Sequence, residues 1–338
     1  MRKLMWAILL LLASAAASPV LAGDALNCLS SSRVLDCLTD KAMVLAQREQ
    51  SQALKAEAYE TMLTTLAKIG VENKKVFEAS SVVNTDGVPI LARWQLEVAR
   101  RAYATRFSID ENSLKSVAEL DALVESIRER AQGFERFSII STACEARELT
   151  PPDRMPQWDG LLDRQCYLHP ADANAVDQEL PGLSALSAPL INAYNRDKRR
   201  FADSLVISNS VLEQFQNLLH TKLSRDGKEA ISGLVSIGYL MRASGFVLLD
   251  EHDEAKQAIQ LAKKYLSRSQ KAHVLPGIES IQAYLSWAMA KSGMSKAALL
   301  EVRAILRKVD SAPRLADGEK AVTLAICIET LSNLQGEK

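Results

Sequence analysis

The residues that could carry out chemistry are scattered along this chain. The four histidines are His169, His220, His252 and His273, and no two of them are three or four residues apart. The His-Glu-x-x-His pattern, which puts two zinc ligands on one helix face, does not occur. Cys-x-x-Cys is absent as well, so neither a zinc ribbon nor a thioredoxin-type site is indicated. We therefore expect no metal site and no cofactor.

Serine and carboxylate motifs are equally weak. Ser236 lies between Gly233 and Gly238 in a pattern one residue too long for the turn that presents a catalytic serine. We interpret it as a small packing residue in a helix. His252 precedes Asp253 at a predicted helix start, where aspartate is more typical of an N-cap than of an acid–base partner. We predict no catalytic residues, and hence a protein that is not an enzyme.

Two basic clusters could bind anionic groups of a partner. The first lies on one predicted helix and comprises Arg93, Trp94, Arg100 and Arg101. The second follows Tyr194 and comprises Arg196, Lys198, Arg199 and Arg200. Arginine beside an aromatic ring suits anions through bidentate hydrogen bonds and stacking. The alternative is a solvated helix face, since charge runs on helices usually face water.

The N-terminal segment, residues 1–22, has the layout of a secretory signal peptide. Two basic residues at positions 2–3 precede an apolar run over residues 4–17, which is shorter than the roughly 20 residues that span a bilayer. Small or β-branched side chains then lead up to Ala22, so we predict cleavage between Ala22 and Gly23. The mature protein is therefore expected to be periplasmic or secreted.

The charge balance restricts the class of partner. The chain has 41 basic and 41 acidic residues, and removal of the predicted signal peptide takes away only two basic ones. A near-neutral chain is atypical of a nucleic-acid binder, which usually carries a clear basic excess. We expect no later stretch to cross a membrane. The expected partner is a protein or peptide, with association to the cell envelope as a further option.

Five cysteines remain after the predicted cleavage, and in an oxidising compartment they usually pair. The local pairings are Cys28 with Cys37 and Cys144 with Cys166, and we predict these two disulfides, although connectivity does not follow from the sequence alone. Cys327 is left over in an apolar, helix-like run. We interpret it as a buried, inert thiol.

Apolar residues recur at helical spacing through most of the chain. The predicted helices cover 53–69, 73–83, a segment starting at Pro89, 113–130, 134–147, 187–203, 204–223, 228–249 and four further stretches before the C-terminus. The stripes of two of the last four are Ala255, Ala258, Ile259, Ala262 and Leu266, and then Ala298, Val302, Ile305 and Val309. Short loops predict that sequential helices pack antiparallel.

The segment 148–183 differs from the rest because it contains five prolines. This much proline excludes one continuous helix. A long loop in a compact domain is either functional or a linker, and here a disulfide from Cys166 is expected to tether it. Trp158 could dock the segment on the helices, and we count it among the candidate partner-binding residues.

The C-terminal part resembles a tetratricopeptide-like helical repeat over residues 230–308. The second helix of that repeat carries two small residues seven apart, as Ala255 and Ala262 do, and as Ala297 and Ala304 do 42 residues later. This spacing exceeds the roughly 34 residues of a tetratricopeptide unit, and the first-helix signature is present only in part. The resemblance implies stacked helical hairpins with a surface that binds peptides or proteins.

Together these observations predict an all-α, helical-hairpin solenoid with one long proline-rich loop. Its segments are a signal peptide at 1–22, N-terminal hairpins at 23–147, the tethered loop at 148–183 and C-terminal hairpins at 184–338. The predicted function is a non-enzymatic protein-binding or assembly module of the bacterial envelope. The alternatives are an enzyme acting on envelope polymers with a site near the loop, and a secreted factor.

Overall fold

A computed structural model describes residues 25–84, 87–109, 114–151, 158–269, 278–312 and 315–336. Every regular element in these ranges is a helix, and 81% of the described residues are helical. The expectation of an all-α protein is therefore confirmed. The predicted signal peptide and its cleavage site lie outside the described residues.

The chain forms two compact units. The bundle unit contains residues 25–131, 139–166 and 299–336, and the hairpin unit contains residues 132–138 and 167–298. The predicted segments differ from this division, because the C-terminal helix packs with the N-terminal helices.

The bundle unit starts with a 3₁₀ helix, Ala25–Ser30. Its α-helices are α1 (Val34–Arg48), α2 (Gln52–Lys68), α3 (Lys74–Ser81), α4 (Ile90–Phe107), α5 (Val117–Arg128), part of α6 (Gly133–Leu149), α7 (Asp159–Gln165), part of α14 (Ser295–Ser311) and α15 (Asp317–Gly336). Helix α2 packs against α1, α3, α4 and α15. The runs of consecutive buried residues are 58–67 in α2, 94–105 in α4 and 321–331 in α15. These three helices are therefore covered on all sides and form the core of the unit.

One carboxylate joins the two ends of the bundle unit. Glu49 Oε1 accepts a hydrogen bond from the N–H group of Ser51 at 2.8 Å, directly before α2. Its Oε2 accepts one from the N–H group of Gly318 at 2.7 Å, in the first turn of α15. A carboxylate is stabilised by the unpaired N–H groups at helix N-termini. Glu49 thus connects the starts of α2 and α15, and its bond to Gly318 spans 269 residues of the sequence.

The hairpin unit contains α8 (Pro170–Glu179), α9 (Leu183–Tyr194), α10 (Lys198–Leu218), α11 (Arg225–Leu248), α12 (His252–Ser269) and α13 (Ile278–Lys291). Helix α11 is central and packs against α9, α10, α12 and α13. A Cβ atom on Gly238 would lie 3.0 Å from Leu186 and 2.9 Å from Leu212. One on Gly245 would lie 3.5 Å from Ala193 and 2.7 Å from Phe201. Helix α11 therefore runs parallel to α9 and antiparallel to α10, with glycines at the closest approaches.

Three successive helix pairs, α9–α10, α11–α12 and α13–α14, turn through the same backbone corner. The second residue after each first helix is left-handed, with φ angles of 53° at Arg196, 61° at Asp250 and 75° at Gly293. The next N–H group donates to the carbonyl five residues earlier, Asp197 to Asn192, Glu251 to Phe246 and Met294 to Met289. This is the Schellman arrangement, which satisfies carbonyls at a helix end. The repeated corner makes these helix pairs structurally alike.

The two alanine pairs of the tetratricopeptide-like resemblance differ in burial. Ala255 and Ala262 are fully buried in α12, and Ser236 Oγ donates a hydrogen bond to the Ala262 carbonyl at 2.8 Å. This confirms Ser236 as a helical packing residue. Ala297 and Ala304 are only half-buried, and the neighbouring stripe from Ala298 to Val309 carries the contacts of α14. The packed helix pairs are compatible with helical repeats.

Helix α11 corrects one expectation about membranes. Residues Arg225–Leu248 are long and apolar enough to cross a bilayer, with a mean hydropathy of 1.4 over the most apolar window. The expectation that no later stretch has this composition is therefore wrong. In the structure 67% of that window is buried inside the protein. The apolar composition serves the packing of α11 among four other helices.

Two further differences concern helix boundaries. The sequence predicts a break between Asp203 and Ser204, whereas the structure breaks the chain at 195–197, where Asp197 caps α10 by accepting a hydrogen bond from the Arg200 N–H group at 2.9 Å. The segment 148–183 is not one long loop in its described part, since α7 and α8 lie within it. A proline at the first position of α8 is compatible with a helix, because a backbone N–H group at that position would have no acceptor within the helix and proline only lacks that group.

Both predicted disulfides are present. Cys28 is bonded to Cys37, and Cys144 is bonded to Cys166. Cys327 is a free, buried thiol, and its burial raises its pKa to about 12. Such a thiol remains protonated and unreactive at neutral pH.

Candidate functional site

Most of the first basic cluster is interior. Trp94 is fully buried on α4, while Arg100 and Arg101 are 5% and 7% exposed. Arg93, on the same helix, is half-buried. The expectation of a partner-binding surface at Trp94, Arg100 and Arg101 is therefore corrected, because α4 is covered on all sides by its neighbours.

Both buried arginines donate hydrogen bonds inside the bundle unit. Arg100 Nη1 donates to Glu97 Oε2 at 3.0 Å, and Arg100 Nη2 donates to Ser81 Oγ at 3.0 Å. Arg101 Nη1 donates to the carbonyl of Lys115 at 2.9 Å. Buried charges persist only where they are paired and hydrogen-bonded. These arginines therefore link α4 to the end of α3 and to the start of α5.

Trp158 belongs to the same interior. Its side chain is buried, and the Arg101 guanidinium lies 5.9 Å above its ring. Trp158 immediately precedes α7, whose surface is held by ion pairs from Arg164 to Asp121 at 2.7 Å and from Arg147 to Asp163 at 3.0 Å. Trp158 thus docks α7 on the bundle, which is the first of the two roles predicted for it. Its buried side chain is not exposed for binding a partner.

The second basic cluster lies at the corner between α9 and α10. The side chains of Arg196, Lys198, Arg199 and Arg200 are all exposed. Arg200 forms an ion pair with Asp197 at 3.4 Å, and its guanidinium lies 5.5 Å from the centre of the Tyr167 ring. His169 packs edge-on against that ring, with centroids 4.6 Å apart. We call residues 196–200 the basic corner.

Sequence analysis missed a second exposed feature, the outer face of α10. The inner face buries Phe201, Ser204, Ser208 and Leu212 against its neighbours. On the other side Val206 is 69% and Ile207 is 59% exposed, and Leu218 lies on the same face three turns later. All four exposed large apolar side chains described in the hairpin unit lie on α10 or in the turn after it, Val206, Ile207, Leu218 and Leu223. Counting apolar residues along α10 could have found this face, because its apolar positions exceed one stripe.

The residues considered for acid–base or metal chemistry are dispersed. Asp253 does not cap α12 but lies in its first turn, where a hydrogen bond from Lys256 lowers the pKa of its carboxyl. His169 packs on Tyr167, and His220 lies in the turn after α10. In the part of the chain that the structure describes, no three histidine, cysteine or acidic side chains are grouped so that they could hold a metal ion. His273 lies outside the described residues.

No known protein family, no curated protein and no solved structure matches this chain.

Proposed function

We propose that this chain is an exported, non-enzymatic protein-binding or assembly module of the bacterial envelope, with the outer face of α10 as its partner-binding surface. The observation that carries this proposal is the exposure of Val206 and Ile207, at 69% and 59%, on a helix whose opposite face is packed. Apolar side chains grouped on an exposed face mark interaction sites more often than scattered ones do.

The arrangement of the hairpin unit supports a solenoid of the tetratricopeptide-like kind. Three helix pairs share one corner geometry, and the first helix of each pair packs against the first helix of the next. Repeats of this type stabilise each other by stacking and leave one helix face for ligands. Amphipathic peptides dock on such faces through apolar anchors three to four residues apart.

Export is supported by the two disulfides, which form and persist in oxidising compartments. The signal-peptide layout at residues 1–22 points in the same direction. The protein is therefore proposed to act in the periplasm or after secretion, and its expected partner is a protein or peptide with an apolar face.

Site-specific photocrosslinking tests the proposal. A benzophenone amino acid is introduced at Val206, at Ile207 or, as a control, at Gln260. Each variant of the full-length protein is expressed in the cells that naturally produce it. Gln260 is exposed on α12, away from the α10 face. We expect one discrete crosslinked protein from positions 206 and 207 and none from position 260.

Ile207→Asp provides the matched loss-of-binding variant, with Gln260→Asp as its control. Exposed substitutions usually change the free energy of unfolding by less than about 0.5 kcal/mol, so both variants should fold. The Ile207→Asp variant should lose the crosslink formed at position 206. A crosslink from position 260 alone, or one that contains only a second copy of this chain, would contradict the proposed surface.

A further inference from the structure

The basic corner has an acidic neighbour at the same end of the hairpin unit. Because α11 runs parallel to α9, the corner after α11 lies beside the corner after α9. The buried cluster that joins them contains Ala193, Phe201 and Leu249. Phe201 and Phe246 also pack edge-on, with ring centroids 5.2 Å apart. We call residues 250–254 the acidic corner.

The two corners carry opposite charges of similar size. The basic corner has four basic side chains and one acidic side chain, which gives three net positive charges. The acidic corner contributes the carboxylates of Asp250, Glu251, Asp253 and Glu254. Lys256 pairs with Asp253 at 2.9 Å, so three net negative charges remain there. Both corners are exposed, with Glu251 half-buried.

The charges are not satisfied across the two corners within one chain. Lys198 and Arg199 form no ion pair with any residue that the structure describes, and neither do Asp250, Glu251 or Glu254. The corners lie at the same end of the hairpin unit, and none of these five side chains forms an ion pair across them. Lys198 and Arg199 on one corner, and Asp250, Glu251 and Glu254 on the other, are therefore available to a molecule that approaches this end.

Charge is also retained at backbone positions that disfavour it. Arg196 and Asp250 are left-handed, a conformation that disfavours side chains with a Cβ atom, and the equivalent residue of the third hairpin is glycine. Glycine at positions 196 and 250 would remove this strain at the expense of one charge in each corner.

We propose that a second copy of this chain docks on this end of the hairpin unit about a twofold axis. In such an interface the same patch is used by both copies, so the basic corner of each meets the acidic corner of the other. Adjacent patches of equal and opposite charge are complementary to themselves under this symmetry. The interface is distinct from the outer face of α10 and does not depend on what that face binds.

Analytical ultracentrifugation of the mature protein tests the inference. Exposed charges attract weakly and are screened by salt, so we measure at about 50 mM and about 500 mM salt, where the screening lengths are roughly 14 Å and 4 Å. We expect the weight-average mass to reach twice that of the chain at the lower salt and to fall to that of one chain at the higher. A monomer at both salt concentrations, or a dimer that is unaffected by salt, overturns the inference.

Charge-reversed variants separate complementarity from simple exposure. The basic corner is reversed in Lys198→Glu/Arg199→Glu and the acidic corner in Asp253→Lys/Glu254→Lys. Each variant alone should be monomeric, because it presents two corners of like charge, and an equal mixture should recover the dimer. The control Lys222→Glu/Lys228→Glu makes the same change of net charge at the opposite end of α10 and α11 and should remain dimeric.

Two outcomes of the mixing experiment overturn the inference. The first is a dimer formed by either reversed variant alone. The second is an equal mixture that stays monomeric although the circular dichroism of both variants matches that of the parent. If a reversed variant does not fold, two measurements replace it. One is the salt dependence of the parent, and the other is the milder Lys198→Gln/Arg199→Gln variant, which should weaken dimerisation. Binding of the monomeric protein to anionic lipid vesicles, with no dimer at either salt concentration, assigns the basic corner to a membrane and also contradicts the proposal.

Discussion

Removal of the Cys144–Cys166 disulfide should destabilise the bundle unit substantially. The bond closes a loop of 23 residues, because its two cysteines are separated by 22 positions. In the chain-entropy estimate such a loop raises the free energy of unfolding by about 3.4 kcal/mol, against about 2.7 kcal/mol for the 10 residues closed by Cys28–Cys37. The Cys144→Ala/Cys166→Ala variant should therefore lose more stability than the Cys28→Ala/Cys37→Ala variant.

Packing loss must be separated from loop closure. Cys144 and Cys166 are both buried, so alanine also removes contacts of two sulfur atoms. Cys327→Ala is the matched control, since it removes one buried sulfur without opening a loop. The ion pairs that hold α7 are partly exposed and are worth only about 0–1 kcal/mol each, so they do not replace the disulfide.

Urea unfolding followed by tryptophan fluorescence measures these differences. Trp94 and Trp158 are both buried in the bundle unit, and Trp158 lies inside the loop that the disulfide closes. Linear extrapolation gives the free energy of unfolding for each variant. After twice the effect of Cys327→Ala is subtracted, a remaining loss below about 1 kcal/mol for the Cys144–Cys166 pair would refute the loop-closure reasoning.

Two further predictions concern packing and pH. Gly245→Ala gains about 1 kcal/mol of helix propensity. Its new methyl group would lie 2.7 Å from Phe201, however, and such overpacking costs about 1–3 kcal/mol. We therefore expect urea unfolding to show a lower free energy of unfolding. Gly160→Ala, where no atom lies within 4 Å of the new methyl group, should stabilise the protein instead. Burial raises the pKa of Tyr103 to about 12 from 10.0, so the unfolded chain ionises first and the free energy of unfolding should fall as pH rises from about 10 to about 12. Urea unfolding of Tyr103→Phe should show a weaker fall over the same range, and an unchanged pH dependence would contradict this assignment.

Helix positions were predictable because they depend on neighbours along the chain. The predicted helix 53–69 corresponds to α2, and 228–249 corresponds to α11. The buried stripe of α12 was also predicted, since apolar spacing reports which face of a single helix is covered. The two disulfides were predictable for a similar reason, because short separations bring cysteines together at a small loss of chain entropy.

The burial of charge was not predictable from the same patterns. Arg100 and Arg101 have the spacing of a solvated face, yet both are buried in a helix that packs against α2 and α5. Their partners, Ser81 and the carbonyl of Lys115, lie on other elements. A periodic pattern describes one helix and carries no information about how many neighbours it has.

The sequence by itself determined that the chain is helical and contains two dense groups of basic residues, and it favoured local pairing of the cysteines. Only the tertiary structure decided which of those groups is accessible and what lies beside it. The basic corner and the acidic corner are about fifty residues apart in the chain, and they become neighbours because glycines let α9, α10 and α11 approach closely. Contacts between residues so far apart depend on the packing of whole helices, which local propensity and spacing do not encode.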